Sequence, residues 1–339
     1  MNVFRSRTFL VALIALSAFL FGCKKPAAGP SDTRKVLGTD VTITIYDQGR
    51  TPEELKALFD EQFALMADWE KRALAPGADN QVYRLSQGAG EQSVTADADV
   101  FQMLMKAIRF YDNSNGVFDV RYGPMLDAWG FDSRPHAAGA QQLDTLKAYV
   151  TDGGMFVAGN GILLAKKGMR FDAREIVEGY VFDLVAGKLG EKGVKSAAVY
   201  SPYVWRFIGE PPDKRGFPVA LGHPVTADSG YALVWSPTGG LALAAASKDR
   251  FQANGKFYHS LLDPRTGMPA NKLLGAIVHS ADAASAQAMA YSVFVHGTVD
   301  SLDANGKNLV TGSAVISGTP EAPNLQATGS LADRIEVGK

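Results

Sequence analysis

Asp263-Pro264-Arg265-Thr266-Gly267 places an acid, a cation and a hydroxyl side by side, directly after the apolar run that ends at Leu262. Proline fixes φ and glycine tolerates a strained corner, so the segment should be a rigid loop. A rigid loop with these side chains suits a phosphate-bearing ligand. The same residues also make an ordinary surface turn, and the loop alone leaves both readings open. Upstream, Gly116 to Val120 reads as a turn and a short extended piece carrying Asp119. Tyr122 to Phe131 reads as an aromatic-rich loop that could hold a flat ring or plug the core.

These residues need a scaffold, and the bulk composition supplies one. The chain has 339 residues, 46% of them hydrophobic and 20% charged, as expected for one large or two modest globular domains. Formal net charge is −1, and no basic stretch interleaves with aromatics, so nucleic acid is excluded as a natural partner.

The first 22 residues have the pattern of a lipoprotein signal peptide. Arg5 and Arg7 form a basic start, and Thr8 to Phe21 is an apolar run too short for a comfortable span. It ends at Gly22-Cys23, and Cys23 is the sole cysteine, the expected point of lipidation. An uncleaved anchor or a plain secretory signal is the alternative. Either way the body is expected in the bacterial cell envelope, facing the periplasm, and needs no disulfide there. Residues 23–35 are expected to be a tether, 36–318 one domain, and 319–339 a C-terminal tail.

Within the body, Val36 to Tyr46 alternates as a half-buried strand. Thr51-Pro52-Glu53-Glu54 starts a helix that runs to about Trp69. A second helix is expected from about Asp97 to Phe110, a third from Arg174 to Leu189, and a fourth from Ala283 to Val295, closed by Gly297. Strands are expected at Ala197–Tyr200, Val204–Ile208, Val219–Leu221, Ala232–Trp235, Leu241–Ala245, Ala276–His279 and Leu309–Ile316. Gly255-Lys256 marks a hairpin. Helices and strands mix without strict alternation, which favours an α+β fold with a largely antiparallel sheet flanked by helices. The sequence contains no P-loop, GxGxxG, nucleophile elbow or Cys/His cluster.

Several segments, in order, resemble the FAD:protein FMN transferase family, often labelled thiamine-biosynthesis lipoproteins. They are Leu37-Gly38-Thr39; Asn115 to Asp119 with Gly123-Pro124 and Trp129-Gly130-Phe131; Asp172 with Glu178-Gly179-Tyr180 and Asp183; and Gly255-Lys256 with Asp263 to Gly267 and Pro269. The resemblance covers roughly residues 36 to 318. It implies a T-fold-like body that binds FAD, uses a divalent cation such as Mg²⁺ at the pyrophosphate, and transfers FMN to a Thr hydroxyl of an exported or membrane redox protein. Such a transfer asks the protein mainly for charge stabilisation and positioning. It also implies ligand contacts at Leu37, Tyr83, Val117, Phe118, Asp119, Glu178, Asp183 and Ser260. Catalytic candidates are His259, Ser260, Asp263, Arg265 and Thr266.

The chain departs from the family pattern where metal and phosphate would be held. The family's Asp-Ala-x-x-Thr ligands correspond to Gln287 and Tyr291, and a further metal position falls at Val177. The family's histidine aligns with Ser260, while His259 stands one place early, which on a strand is the opposite face. A Ser-Gly pair becomes Ser247-Lys248, and the residues before Glu178 become Arg174, Glu175, Ile176 and Val177. Arg174 or Lys248 could supply a fixed cation in place of a metal, or both could be solvated surface charges. Asp172, Asp183, Asp249 and Asp282 are the acids that could replace the lost carboxylate. Two functions stay open: an FMN transferase with a remodelled site, and an inactive flavin-binding or envelope interaction lipoprotein.

Overall fold

The computed structural model describes residues 29–338, apart from Pro76, Asp132, Asp152, Gly153, Asp228 and Ser229. The signal segment, Cys23 and the first part of the expected tether lie outside the described residues.

An eight-stranded antiparallel sheet forms the middle layer. Its spatial order is Ser31–Val36, Thr39–Ile45, Ser196–Tyr200, Val204–Gly209, Gly239–Ala245, Gly275–Ser280, Gly312–Thr319 and Ala322–Gly329. The central strands bury both faces. Ala242, Ala244, Ala276 and Val278 face the helices, whereas Leu241, Leu243 and Ile277 face a second apolar cluster. That cluster is closed by a three-stranded sheet of Phe217–Gly222, Gly230–Ser236 and Ile335–Val337. The expected α+β class with a largely antiparallel sheet is therefore what the chain forms, with helices on one face and a small sheet on the other.

Four expected boundaries change. The single strand from Val36 to Tyr46 is a hairpin whose turn is Leu37-Gly38, at φ of 56° and 77°. Its first arm begins at Ser31, so part of the supposed tether is a sheet strand. The supposed tail contributes the edge strand Ala322–Gly329 and the strand Ile335–Val337. Its partly buried Leu325 and Ala327 pack against the second cluster, which makes it a sheet edge rather than a tail. The late strand starts at Gly312, because Ala304–Leu309 is a short helix capped by Asp303.

The helical layer is built around Ala283–His296. Every residue from Ala283 to Val295 is buried, so this helix has no solvent face. Asp282 caps its start, and Gly297, at φ of 88°, ends it. Beside it runs Arg174–Glu191. The two helices meet at Gly179, where an added Cβ would lie 2.5 Å from the Ala283 carbonyl oxygen. Glycine is required there by backbone contact between helices.

Two glycines of the same helix should therefore respond oppositely to alanine. Gly179→Ala should lower stability by about 1–2 kcal/mol, because the overpacking cost exceeds the gain in helix propensity. Gly187 has nothing within 4 Å of an added Cβ, so Gly187→Ala should raise stability by about 1 kcal/mol. Urea unfolding of the two variants against the parent chain measures both.

Candidate functional site

The Asp263–Gly267 loop closes on itself. Asp263 accepts from the Arg265 backbone N–H at 3.0 Å, and from its guanidinium Nε at 2.8 Å and Nη2 at 2.7 Å. The Asp263 carbonyl accepts from the N–H groups of Thr266 and Gly267 and from the Thr266 hydroxyl. Gly267 sits at φ of 71°. The side chains expected to face a phosphate are thus already paired with one another.

Two deeper elements hold this loop in place. The Trp129 indole donates to the Gly267 carbonyl at 2.8 Å, and the Tyr291 hydroxyl donates to the Leu262 carbonyl. Trp129 ends a short helix, Gly123–Trp129, where a loop was expected. Tyr122 and Trp129 are buried with Met125, Leu126 and Leu262, so the aromatic segment is a core plug. Pro124 at its first turn and left-handed Gly130 at its end bound the helix.

The buried helix presents Gln287 and Tyr291 to a cavity that Glu175 and Lys248 also line. The cavity is small, about 10 Å³, room for a single water molecule. The Gln287 side chain is spent: its Oε1 accepts from Gly179 N–H at 2.8 Å, and its Nε2 donates to the Arg174 carbonyl at 3.1 Å. It braces the two helices together. Lys248 Nζ lies 2.8 Å and 2.9 Å from the two Glu175 carboxylate oxygens. Their side chains are only 16% and 6% exposed, so the solvated reading of Lys248 is corrected. Burial penalises the ammonium, but Glu175, with Asp249 and Glu178 behind it, outweighs that and holds the pKa above its ordinary value. Burial pushes the Glu178 carboxyl up, and its Oε1 is buried without a hydrogen-bond partner.

None of the remaining candidates lines this cavity. Val117 and Phe118 are fully buried, and the Phe118 ring meets Tyr291 edge-on at 5.8 Å. Asp119 is held by Arg121 at 2.6 Å. Asp183 accepts from the N–H groups of Ala283 and Ala284 and pairs with Arg206, capping the buried helix; burial, and then Asp282, push its pKa up. Leu37 sits in the hairpin turn, and Tyr83 is half exposed on the helix Gln81–Gln87. The Ser260 hydroxyl donates to Asp249 at 2.7 Å. His259 is buried, with Nε2 at 3.0 Å from the Ala270 carbonyl and its ring against Phe294. The four acids considered as replacements are engaged elsewhere: Asp172 with Arg174, Asp249 with Ser260, Asp282 with Lys106 and Ser285, and Asp183 as a cap. The carboxylate that reaches the cavity is Glu175. Glu175 and Lys248 stand in the sequence as separate departures, and only the fold pairs them.

These side chains do not fit a Mg²⁺ ion. Magnesium wants a near-octahedral shell of oxygens that includes carboxylate. Val177 offers no side-chain ligand, and the Gln287 oxygen and the Tyr291 hydroxyl are already bonded. The Glu175 carboxylate is neutralised by Lys248. Among the described residues no cluster of three or more His, Cys, Asp or Glu side chains could hold a metal ion. A wider, open depression of about 520 Å³ lies beside Lys106, Arg109, Asp112 and Asn305; of the acids considered above only Asp282 lines it, and none of the expected flavin contacts does.

The architecture and the loop define a flavin-transferase type of body, and comparison with known proteins agrees. The sequence profile of the ApbE family matches residues 37–310, and the chain belongs to that family. A Vibrio cholerae protein named FAD:protein FMN transferase is 25% identical over 303 residues, covering 86% of this chain and 88% of the relative. One of the same name from Haemophilus influenzae is 25% identical over 316 residues, covering 88% and 89%. The ApbE protein of Thermotoga maritima superposes with a TM-score of 0.76 at 19% identity, covering 88% of this chain and 96% of that one. The flavin transferase ApbE of Vibrio cholerae superposes at 0.74, also at 19% identity, covering 90% and 98%. These likenesses establish a shared fold.

Burial lowers the His259 pKa to about 4 from an ordinary 6.5. The folded chain therefore binds fewer protons there than the unfolded chain between those values, and stability falls as pH drops through that window. The loss should total about 3 kcal/mol by pH 4. Asp183 acts with the opposite sign, since a raised carboxyl favours the folded state as pH falls. The difference between the parent chain and His259→Asn isolates the histidine: urea midpoints at pH 7 and pH 4 should move apart less in the variant.

Proposed function

We propose that the chain transfers FMN from FAD to a threonine hydroxyl of an exported or membrane redox protein. In that reaction the hydroxyl oxygen bonds the FMN phosphorus, the pyrophosphate bond breaks, AMP leaves, and the hydroxyl proton passes to solvent. The carrying observation is that the signature loop Asp263–Gly267 is locked in shape by Trp129, from another segment of the resemblance, and by Tyr291, which bonds the Leu262 carbonyl just before it. The named activity of the Vibrio and Haemophilus relatives supports the reading. Cys23 lipidation would tether the body to the membrane, facing the periplasm, where a membrane redox acceptor lies within reach.

The self-satisfied site favours a second reading, a flavin-binding or envelope interaction lipoprotein that transfers nothing. Gln287 braces backbone where a metal ligand would stand, and the cavity admits one water molecule.

Incubating the full chain in detergent with FAD and an acceptor domain separates the two. Transfer yields a fluorescent covalent adduct and AMP. Absence of both, while a working relative labels the same acceptor, would sink the transferase reading; flavin binding without adduct supports the second.

A further inference from the structure

The cavity lined by Gln287 and Tyr291, two of the positions where the resemblance implies metal ligands, is also lined by a lysine. Lys248 Nζ sits nearly equidistant from the two Glu175 oxygens, at 2.8 Å and 2.9 Å, as a cation chelated by a carboxylate would. Both residues line the cavity of Gln287 and Tyr291, and Lys248 is the only basic side chain among its lining residues. Ser247 to Asp249 make the turn that delivers it, with Lys248 N–H bonded to the Ala245 carbonyl and Asp249 at φ of 49°. That is a left-handed conformation disfavoured for a residue with a Cβ. The lysine is therefore held from both ends, by a tight turn and by a buried carboxylate.

From this geometry, and resting on the flavin reading above, we infer that Lys248 is a tethered replacement for the divalent cation, so that the pocket meets its diphosphate-bearing ligand without metal. An ammonium has three N–H donors, and Glu175 takes two of them. The adjoining space, about 10 Å³, accommodates one oxygen-sized group, which a phosphate oxygen would provide. The other changes at the site agree. A Mg²⁺ ion in this cavity would meet the ammonium head-on, whereas a neutral amide at Gln287 avoids adding a carboxylate opposite an incoming phosphate. Glu175 keeps the lysine charged and aimed while no ligand is present.

The test uses the full chain in detergent, with FAD affinity and thermal midpoint read in EDTA and in Mg²⁺. The parent chain should show the same affinity and the same midpoint in both. Lys248→Met should lose roughly tenfold or more in FAD affinity in EDTA. Because it frees the Glu175 carboxylate, its midpoint should rise with Mg²⁺. If that variant fails to fold, Lys248→Met with Glu175→Gln removes both charges; it should bind FAD more weakly than the parent and ignore Mg²⁺. A parent chain that needs Mg²⁺ for FAD, or is stabilised by it, would overturn the inference, as would a lysine variant with parental affinity in EDTA. If the parent takes up no FAD in either medium, the flavin reading fails by itself. The midpoints then decide the metal question: a Mg²⁺-dependent rise confined to Lys248→Met upholds the cation exchange, and its absence refutes it.

Discussion

The buried helix Ala283–His296 imposes the constraint on which the rest depends. A helix without a solvent face must find a protein partner for each polar group it carries. Its first N–H groups go to Asp183, and the Ser285 N–H and hydroxyl go to Asp282. Ser292 bonds back to the Ala288 carbonyl. Gln287 reaches across to the neighbouring helix, and Tyr291 to the chain entering the Asp263–Gly267 loop. The side chains that a metal-binding version of this helix would offer to a ligand are thereby turned into struts. Gly179 makes the arrangement possible, since only a residue without Cβ lets the two backbones come within reach of the Gln287 amide.

The same constraint explains the loop. A loop built only from turn chemistry would be mobile relative to the sheet. Here the Trp129 indole donates to its Gly267 carbonyl and the Tyr291 phenol to the Leu262 carbonyl at its entry, both from buried positions. Leaving either carbonyl without a donor would cost about 1–3 kcal/mol, which locks the corner to the core. The plug residues Tyr122, Met125 and Leu126 are thus part of the site's frame, although none of them lines its cavity.

Much of the fold was legible from periodicity. The helices at 52–73, 98–113, 174–191 and 283–296, and most central strands, follow from 3.6- and 2-residue patterns with clear caps. The Gly123–Trp129 helix was not legible because seven residues hold too few turns for a pattern, and its glycines and aromatics read as a loop. The C-terminal strand Ala322–Gly329 alternates only weakly, being an edge strand with one face packed. At the site, the sequence located Gln287, Tyr291 and Lys248 but not their partners. Lys248 reads as surface charge until the chain folding brings Glu175, seventy-three positions away, within 2.8 Å. Ion pairs across that separation leave no local trace.

Folding alone explains the Asp263–Gly267 loop: proline and glycine shape the turn, and Asp263 with Arg265 closes it. Folding does not explain the Glu175–Lys248 pair. A buried ion pair repays its desolvation poorly, and apolar side chains of similar volume usually serve a core as well or better. The site lies beside Leu261, Ala242 and Ala290, an environment that would accept such side chains readily. A cation kept charged there, at the end of a turn with a left-handed Asp249, costs stability in two ways. A ligand with negative charge offsets that cost, because it meets a positive group that is already desolvated and oriented.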